Sequence, residues 1–173
     1  MTSPRVLIAA SAGLALLGAC SATNHSSTPK QASPAASATS SGRVPDVVNA
    51  SDLKTAPAPG RGATPVPTTL VIKDLVAGSV PTATAASTVT VQYVGANYAD
   101  GKVFDSSWKR GQPIDFPLSG VIPGFAQGIV GMKVGGRREL VIPPDLGYGA
   151  QGSPPAVGPD ETLVFVIDLV GVR

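Results

Sequence analysis

Nucleophilic and proton-transfer chemistry most often rests on cysteine or serine beside histidine, or on paired carboxylates, and this sequence of 173 residues is short of cysteine and histidine. The single cysteine, Cys20, and the single histidine, His25, both lie near the N-terminus. No Ser-His-Asp or Cys-His arrangement, His/Cys metal cluster or glycine-rich phosphate loop opening a helix can be assembled. The run "VGG" at Val134 to Gly136 leads into Arg137 and reads as a turn. What remains is aromatic surface, from Tyr93, Phe104, Phe116, Phe125, Tyr148 and Phe165, and one acid, Asp105, directly behind Phe104 in "GKVFDSSWKRGQPIDF". A carboxylate in or near a core needs a partner. A site built this way can hold and desolvate a substrate but has no group to transfer. It implies no metal and no cofactor.

The elements that must position these residues occupy the C-terminal part of the chain. Thr69 to Val76 and Thr88 to Tyr98 read as strands, the second with Val89, Val91 and Tyr93 on one face and Thr88, Thr90 and Gln92 on the other. That period of two marks a half-buried sheet. Asp100-Gly101 is a hairpin signal folding the chain back into Lys102 to Asp105, and "SSWKRGQP" reads as a bulged excursion from an edge. Phe125, Ile129 and Met132 fall at i, i+4 and i+7 and line one side of a short helix. Arg137 to Ile142 and Thr162 to Val170 are further strands, with Leu163, Phe165, Ile167 and Leu169 pointing inward on the last. Between these two strands runs a long Gly/Pro-rich loop, of a length that is often functional. The sum is an α+β domain, an antiparallel sheet of about five strands with one short helix laid across it.

The N-terminal part has a different composition. "MTSPRVLIAASAGLALLGAC" carries one positive charge at Arg5, then an apolar run from Val6 to Leu17 that is too short to span a bilayer. Leu17-Gly18-Ala19-Cys20 resembles the bacterial lipobox, in which the thiol receives a diacylglyceryl group and cleavage falls just before it. The alternative is an ordinary secretory leader with Ala-x-Ala-like cleavage. From Ser21 to about Pro65 the chain is dominated by Ala, Ser, Thr and Pro, without a pattern that could bury a face and offset its ordering entropy. The expected organisation is a lipoprotein signal at 1–19, a lipid-anchored disordered linker at 20–66 and a folded domain at 67–173. The net charge of +2 belongs to the linker and leader, since from Pro67 onward 8 Lys and Arg face 9 Asp and Glu. Nucleic acid is a poor match for such a domain. With no disulfide partner for Cys20, the exported domain must be held by its core, as a monomer.

Taken together, "VQYVGANYADGKVFDSS", "VIPGFAQGIVGMKVGGRRELVIPPDLGYG" and "TLVFVIDLVGV" resemble the FKBP-type peptidyl-prolyl cis–trans isomerases over about Thr69 to Val172. The shared features are an aromatic-Asp-Ser-Ser after a hairpin, Val-Ile-x-Gly before the helix and Pro-x-x-x-Gly-Tyr-Gly after the next strand. The resemblance implies a half-open sheet wrapped around the helix with an apolar pocket between them. It implies catalytic positions at Tyr93, Phe104, Asp105, Ile122 and Tyr148, and a pocket completed by Val121, Phe125, Phe165, Phe116, Ile114 and Val157. Asp105 would then set polarity as a hydrogen-bond acceptor, with Tyr93 among its partners. The backbone N–H of Ile122 and the phenol of Tyr148 would be donors to the bound carbonyl.

The implied partners are X-Pro segments of exported proteins, a macrolide as a possible ligand, and the outer face of the cytoplasmic membrane through Cys20. Three departures from many members bear on the macrolide: Phe125 stands where they have Trp, Ile114 where they have an aromatic, and Ser153 where they have His. They imply a roomier pocket. A binding module or scaffold that keeps the pocket with little isomerase activity is the alternative class. Retention of Phe104-Asp105, Val121-Ile122 and Tyr148 favours the enzyme.

Overall fold

The computed structural model describes residues 44–173. In chain order the elements are β1 (Val47–Val48), β2 (Ala58–Pro59), β3 (Val71–Val76), β4 (Ser79–Thr82), β5 (Thr88–Asn97), β6 (Val103–Ser106), β7 (Ile114–Pro117), α1 (Pro123–Ile129), β8 (Lys133–Val134), β9 (Arg137–Ile142) and β10 (Leu163–Val172). The main sheet is antiparallel throughout, in the order β3-β9-β10-β5-β6. β7 also pairs with β5, so β6 and β7 share one edge in succession: β6 against Val94 to Ala96, β7 against Thr88 to Val91. Residues 107–113 are the excursion between them.

Alternation dictates which side chains meet. Val89, Val91 and Tyr93 of β5 and Leu163, Phe165, Ile167 and Leu169 of β10 all enter one core with Phe125 and Ile129 of α1. The hairpin from β5 to β6 turns at Gly101, whose φ of 72° is a conformation that glycine adopts without steric cost. Pro123 opens α1 at a position where its missing N–H costs nothing. The helix is shorter than the spacing of Phe125, Ile129 and Met132 implies. It stops at Ile129, and Met132 reaches the core from the turn that follows, its N–H donating to the Ile129 carbonyl at 2.8 Å.

The folded part also begins earlier than expected. Within the stretch assigned to the linker, β1 pairs with β2, and residues 44–63 lie as a strap over the outer face of the sheet. Pro45, Pro57 and Pro59 are buried there. Val44 packs against Val141, Val164 and Tyr98. The Gly62 N–H donates to the Tyr98 carbonyl at 2.8 Å, and the Tyr98 hydroxyl to the Ala63 carbonyl at 2.7 Å. A Cβ at Gly62 would lie 2.2 Å from the Tyr98 ring, so only glycine fits that crossing. Arg137 grips the strap from the sheet side. Its guanidinium forms a bidentate pair with buried Asp168 and donates to the carbonyls of Asn49 and Thr55. A buried cation needs all its donors met, and the strap supplies two of the acceptors. The signal at 1–19, Cys20 and the expected linker up to residue 43 lie outside the described residues.

Candidate functional site

On the opposite face of the sheet, between β5, β6, β10 and the start of α1, is a cavity of about 320 Å³. Its walls are Tyr93, Phe104, Asp105, Phe116, Gly120, Val121, Ile122, Phe125, Tyr148 and Phe165. Inward alternation on β5 and β10 brings Tyr93 and Phe165 to it, β6 brings Phe104 and Asp105, and the turn into α1 presents Val121 and Ile122. The aromatic rings meet edge to face. Phe125 and Phe165 lie 5.3 Å apart at 82°, Phe104 and Phe165 5.7 Å apart at 82°, and Phe116 and Phe125 6.0 Å apart at 74°. Such contacts fix ring orientation as well as bury area. Phe125, at the base of α1, is 4% exposed and forms the floor, whereas Tyr148, from the long loop, is 38% exposed and stands at the rim.

Asp105 has three donors. The Tyr93 hydroxyl donates to one oxygen, while Nη1 of Arg110 at 2.6 Å and the Ser106 N–H at 2.8 Å donate to the other. Arg110 Nη2 also donates to the Tyr93 hydroxyl at 2.8 Å, with the guanidinium 5.6 Å from the Tyr93 ring centre. Burial opposes the Asp105 carboxylate, but the Tyr93 and Arg110 hydrogen bonds and the guanidinium charge outweigh it and hold its pKa below the ordinary value. Burial, then the adjacent carboxylate, push Tyr93 up to about 12. Tyr148 is raised as well, by burial first and the Asp105 charge second. The pocket therefore keeps one protonation state through the neutral range: Asp105 ionised, both phenols protonated. At the step into α1, the Ile122 carbonyl accepts from Phe125 and Ala126, while its N–H is bound to no group among the described residues.

Most of the residues expected at the site meet there, and two do not. Ile114 lies at the start of β7, two residues before Phe116 and opposite Val91, and packs half-buried against the core. Val157 is 2% exposed; its side chain is spent in the core beneath the long loop, where it pairs with Ser153. The reading missed Gly120 and Arg110. Arg110 ends a short 3-10 turn, Trp108–Arg110, closed by Gly111 in the left-handed conformation, and that turn aims the guanidinium back at Asp105. A cation just before a glycine in an edge excursion was the only signal for it. Trp108 is partly buried on the other side of that excursion, away from the pocket.

Comparison with known proteins agrees with this geometry. The family model described as FKBP-type peptidyl-prolyl cis-trans isomerase matches residues 80–170. A probable FK506-binding protein of Corynebacterium glutamicum is 51% identical over 107 residues, covering 61% of this chain and 89% of that protein. The peptidyl-prolyl cis-trans isomerase Mip of Coxiella burnetii is 45% identical over 104 residues, 60% of this chain and 45% of Mip. The crystal structure of FkpA from Escherichia coli superposes with a TM-score of 0.57 at 44% identity, over 60% of this chain and 48% of that one. The AtFKBP13 crystal structure gives a TM-score of 0.56 at 37% identity, over 60% of this chain and 93% of its own. By the family match over residues 80–170 and the identity to these relatives, this chain belongs to the FKBP-type peptidyl-prolyl cis–trans isomerase family.

Proposed function

We propose that this isomerase acts on X-Pro segments of exported proteins at the cell envelope, where Cys20 anchors it by lipid to the outer face of the cytoplasmic membrane, and that catalysis proceeds by desolvation and selective fit to the twisted amide. The observation that carries the mechanism is the pocket's composition: apolar walls around a single carboxylate whose hydrogen bonds are all structural. Rotation about an X-Pro bond faces a barrier of about 18–20 kcal/mol because amide resonance is lost at the twist. Water stabilises the charge-separated planar form, so moving the carbonyl into the aromatic cavity weakens that resonance. A cavity that fits the twisted amide better than the planar one then lowers the barrier.

The unoccupied Ile122 N–H and the phenol of Tyr148 are the groups offered to the carbonyl of the bound peptide. Asp105, held by Tyr93 and Arg110, fixes the polar side of the wall. Phe104, Phe116, Phe165, Val121 and Phe125 exclude water. No covalent intermediate is formed and no proton moves. A proline-limited peptide assay on the full chain tests this reading: Phe104→Ala should slow turnover at least as much as Asp105→Ala or Tyr148→Phe. Complete loss in Asp105→Ala with the fold intact would mean that a proton transfer carries the reaction. The anchor is tested separately. Cys20→Ala, expressed in a bacterium, should leave the membrane fraction and lose labelling by a fatty-acid analogue, and unchanged partitioning would sink it.

A further inference from the structure

Glu139 is fully buried, and neither carboxyl oxygen has a hydrogen-bond partner. It stands on β9 between Val141 and Arg137, all three facing outward from the pocket side. Register places Val166 of β10 on one flank and Lys73 of β3 on the other. The strap touches both of its neighbours along the strand: Val44 packs on Val141, and the Asn49 and Thr55 carbonyls receive Arg137. Glu139 thus lies between two points at which the strap meets β9.

The charged groups facing it come from every side. Lys73 Nζ is 3.9 Å from Oε2 but its side chain is 46% exposed, and Asp46 of the strap adds a like charge. Further along, Arg137 and Asp168 are engaged with one another. An ionised carboxylate there has no N–H to replace its lost water, and such a group costs far more than its neutral form.

We propose that Glu139 makes the strap a pH-sensitive cover: closed over the sheet while the carboxyl is protonated, and loosened when it ionises and must regain water. Burial pushes the Glu139 pKa up to about 7, with Lys73 opposing and Asp46 adding to the rise. The switch therefore falls within the range in which the pocket itself does not titrate. Opening also frees Leu53 of the strap from the crevice that it shares with Trp108, the single tryptophan of the chain. That gives an optical readout.

The experiment uses the full chain and follows amide hydrogen exchange of residues 46–62, corrected for the intrinsic chemical rate, together with Trp108 emission. Between pH 5.5 and 8 the opening constant of the strap should rise roughly thirtyfold. Trp108 emission should shift to the red over the same interval. Glu139→Gln should abolish both responses and leave the strap closed. Lys73→Gln, at a half-exposed position, should keep the fold and move the midpoint to higher pH. Corrected strap exchange that is equal at the two pH values in the wild type would overturn the proposal, as would a response that survives in Glu139→Gln. A midpoint unmoved in Lys73→Gln would also overturn it, and covers the case in which Glu139→Gln fails to fold.

Discussion

The two faces of the central sheet solve the same problem in opposite ways. Toward the pocket, Asp105 has three donors and stays ionised. Toward the strap, Asp168 is matched by Arg137, but Glu139 two residues further along β9 has no hydrogen bond at all. Burial and the supply of donors decide the outcome together. Asp105 sits at the pocket's mouth with 40% of its side chain exposed, and Glu139 sits under cover with none. A carboxylate needed as a fixed negative wall must be surrounded by N–H and O–H groups. One that lacks them becomes neutral, and its environment becomes a function of pH.

The strongest test of the contrast is on the strap side. Arg137→Leu leaves Asp168 buried without a cation and strips the strap of one anchor, and should cost about 3–5 kcal/mol in urea unfolding. A chain beginning at Thr64 loses the two carbonyl acceptors and the cover over Val141 and Val164, and should unfold at a lower urea midpoint than one beginning at Ser21. Equal midpoints would show that the strap contributes nothing to the fold.

Next comes the pH dependence of stability. Folded Glu139 keeps its proton up to about pH 7, against an ordinary value of 4.5. Between these values the folded state binds more protons than the unfolded one, so stability should be full below about 4.5, fall as pH rises and level off above about 7. The total loss is roughly 3 kcal/mol. Glu139→Gln should flatten this limb of the curve. An unchanged limb would mean that another group titrates.

On the pocket side the effects are smaller and read in rate. Phe104→Ala removes an aromatic wall and admits water, and should lower the rate constant by about one to two orders of magnitude, or 1.4–2.7 kcal/mol. Asp105→Ala and Tyr148→Phe should each cost about tenfold or less. A null result for Phe104→Ala would break the desolvation account. Phe125→Trp sharpens it, since a larger floor should tighten a rapamycin-type macrolide in a titration, by roughly 25 cal/mol for each Å² newly buried. The smallest expected effect is none: isomerase activity of the wild type should be flat from pH 5 to 8, because the pKa values of Asp105, Tyr93 and Tyr148 are all displaced away from that interval. A bell centred near 6.5 would indicate acid–base catalysis.

The two faces also differed in how legible they were in the sequence. The pocket side is written in local patterns: alternation in β5 and β10, the Asp100-Gly101 turn, and an aromatic followed by an acid. Its polar network was half visible, because Tyr93 and Asp105 fall on paired strands, whereas Arg110 reaches them only through a turn that the residues hardly announce. The strap was missed because prolines bury one ring at a time and leave no period. Its signal lay elsewhere, in β10. Leu163 to Leu169 is apolar on both faces apart from Asp168, with Val164 and Val166 fully buried on the side away from the pocket. A strand apolar on both faces implies cover on both. The β4–β8 pair was missed for a plainer reason: all four residues of β4 are exposed and carry no pattern.

The crossing of Gly62 beneath the Tyr98 ring carries a consequence for how this domain can vary. Arg137 holds the chain at Asn49 and Thr55, and Tyr98 clasps it at Gly62 and Ala63. Between these two clasps the strap behaves like a buckle with a single hole. Shifting it by one residue would drive Arg61 or Ala63 into the ring, and either side chain would have to displace Tyr98 from the contacts that it makes with Val44, Val141 and Val164. Residues added or removed between Ala56 and Arg61 therefore change whether the cover can fasten at all, whereas extra residues before Val44 lie outside the clasp and leave its length untouched.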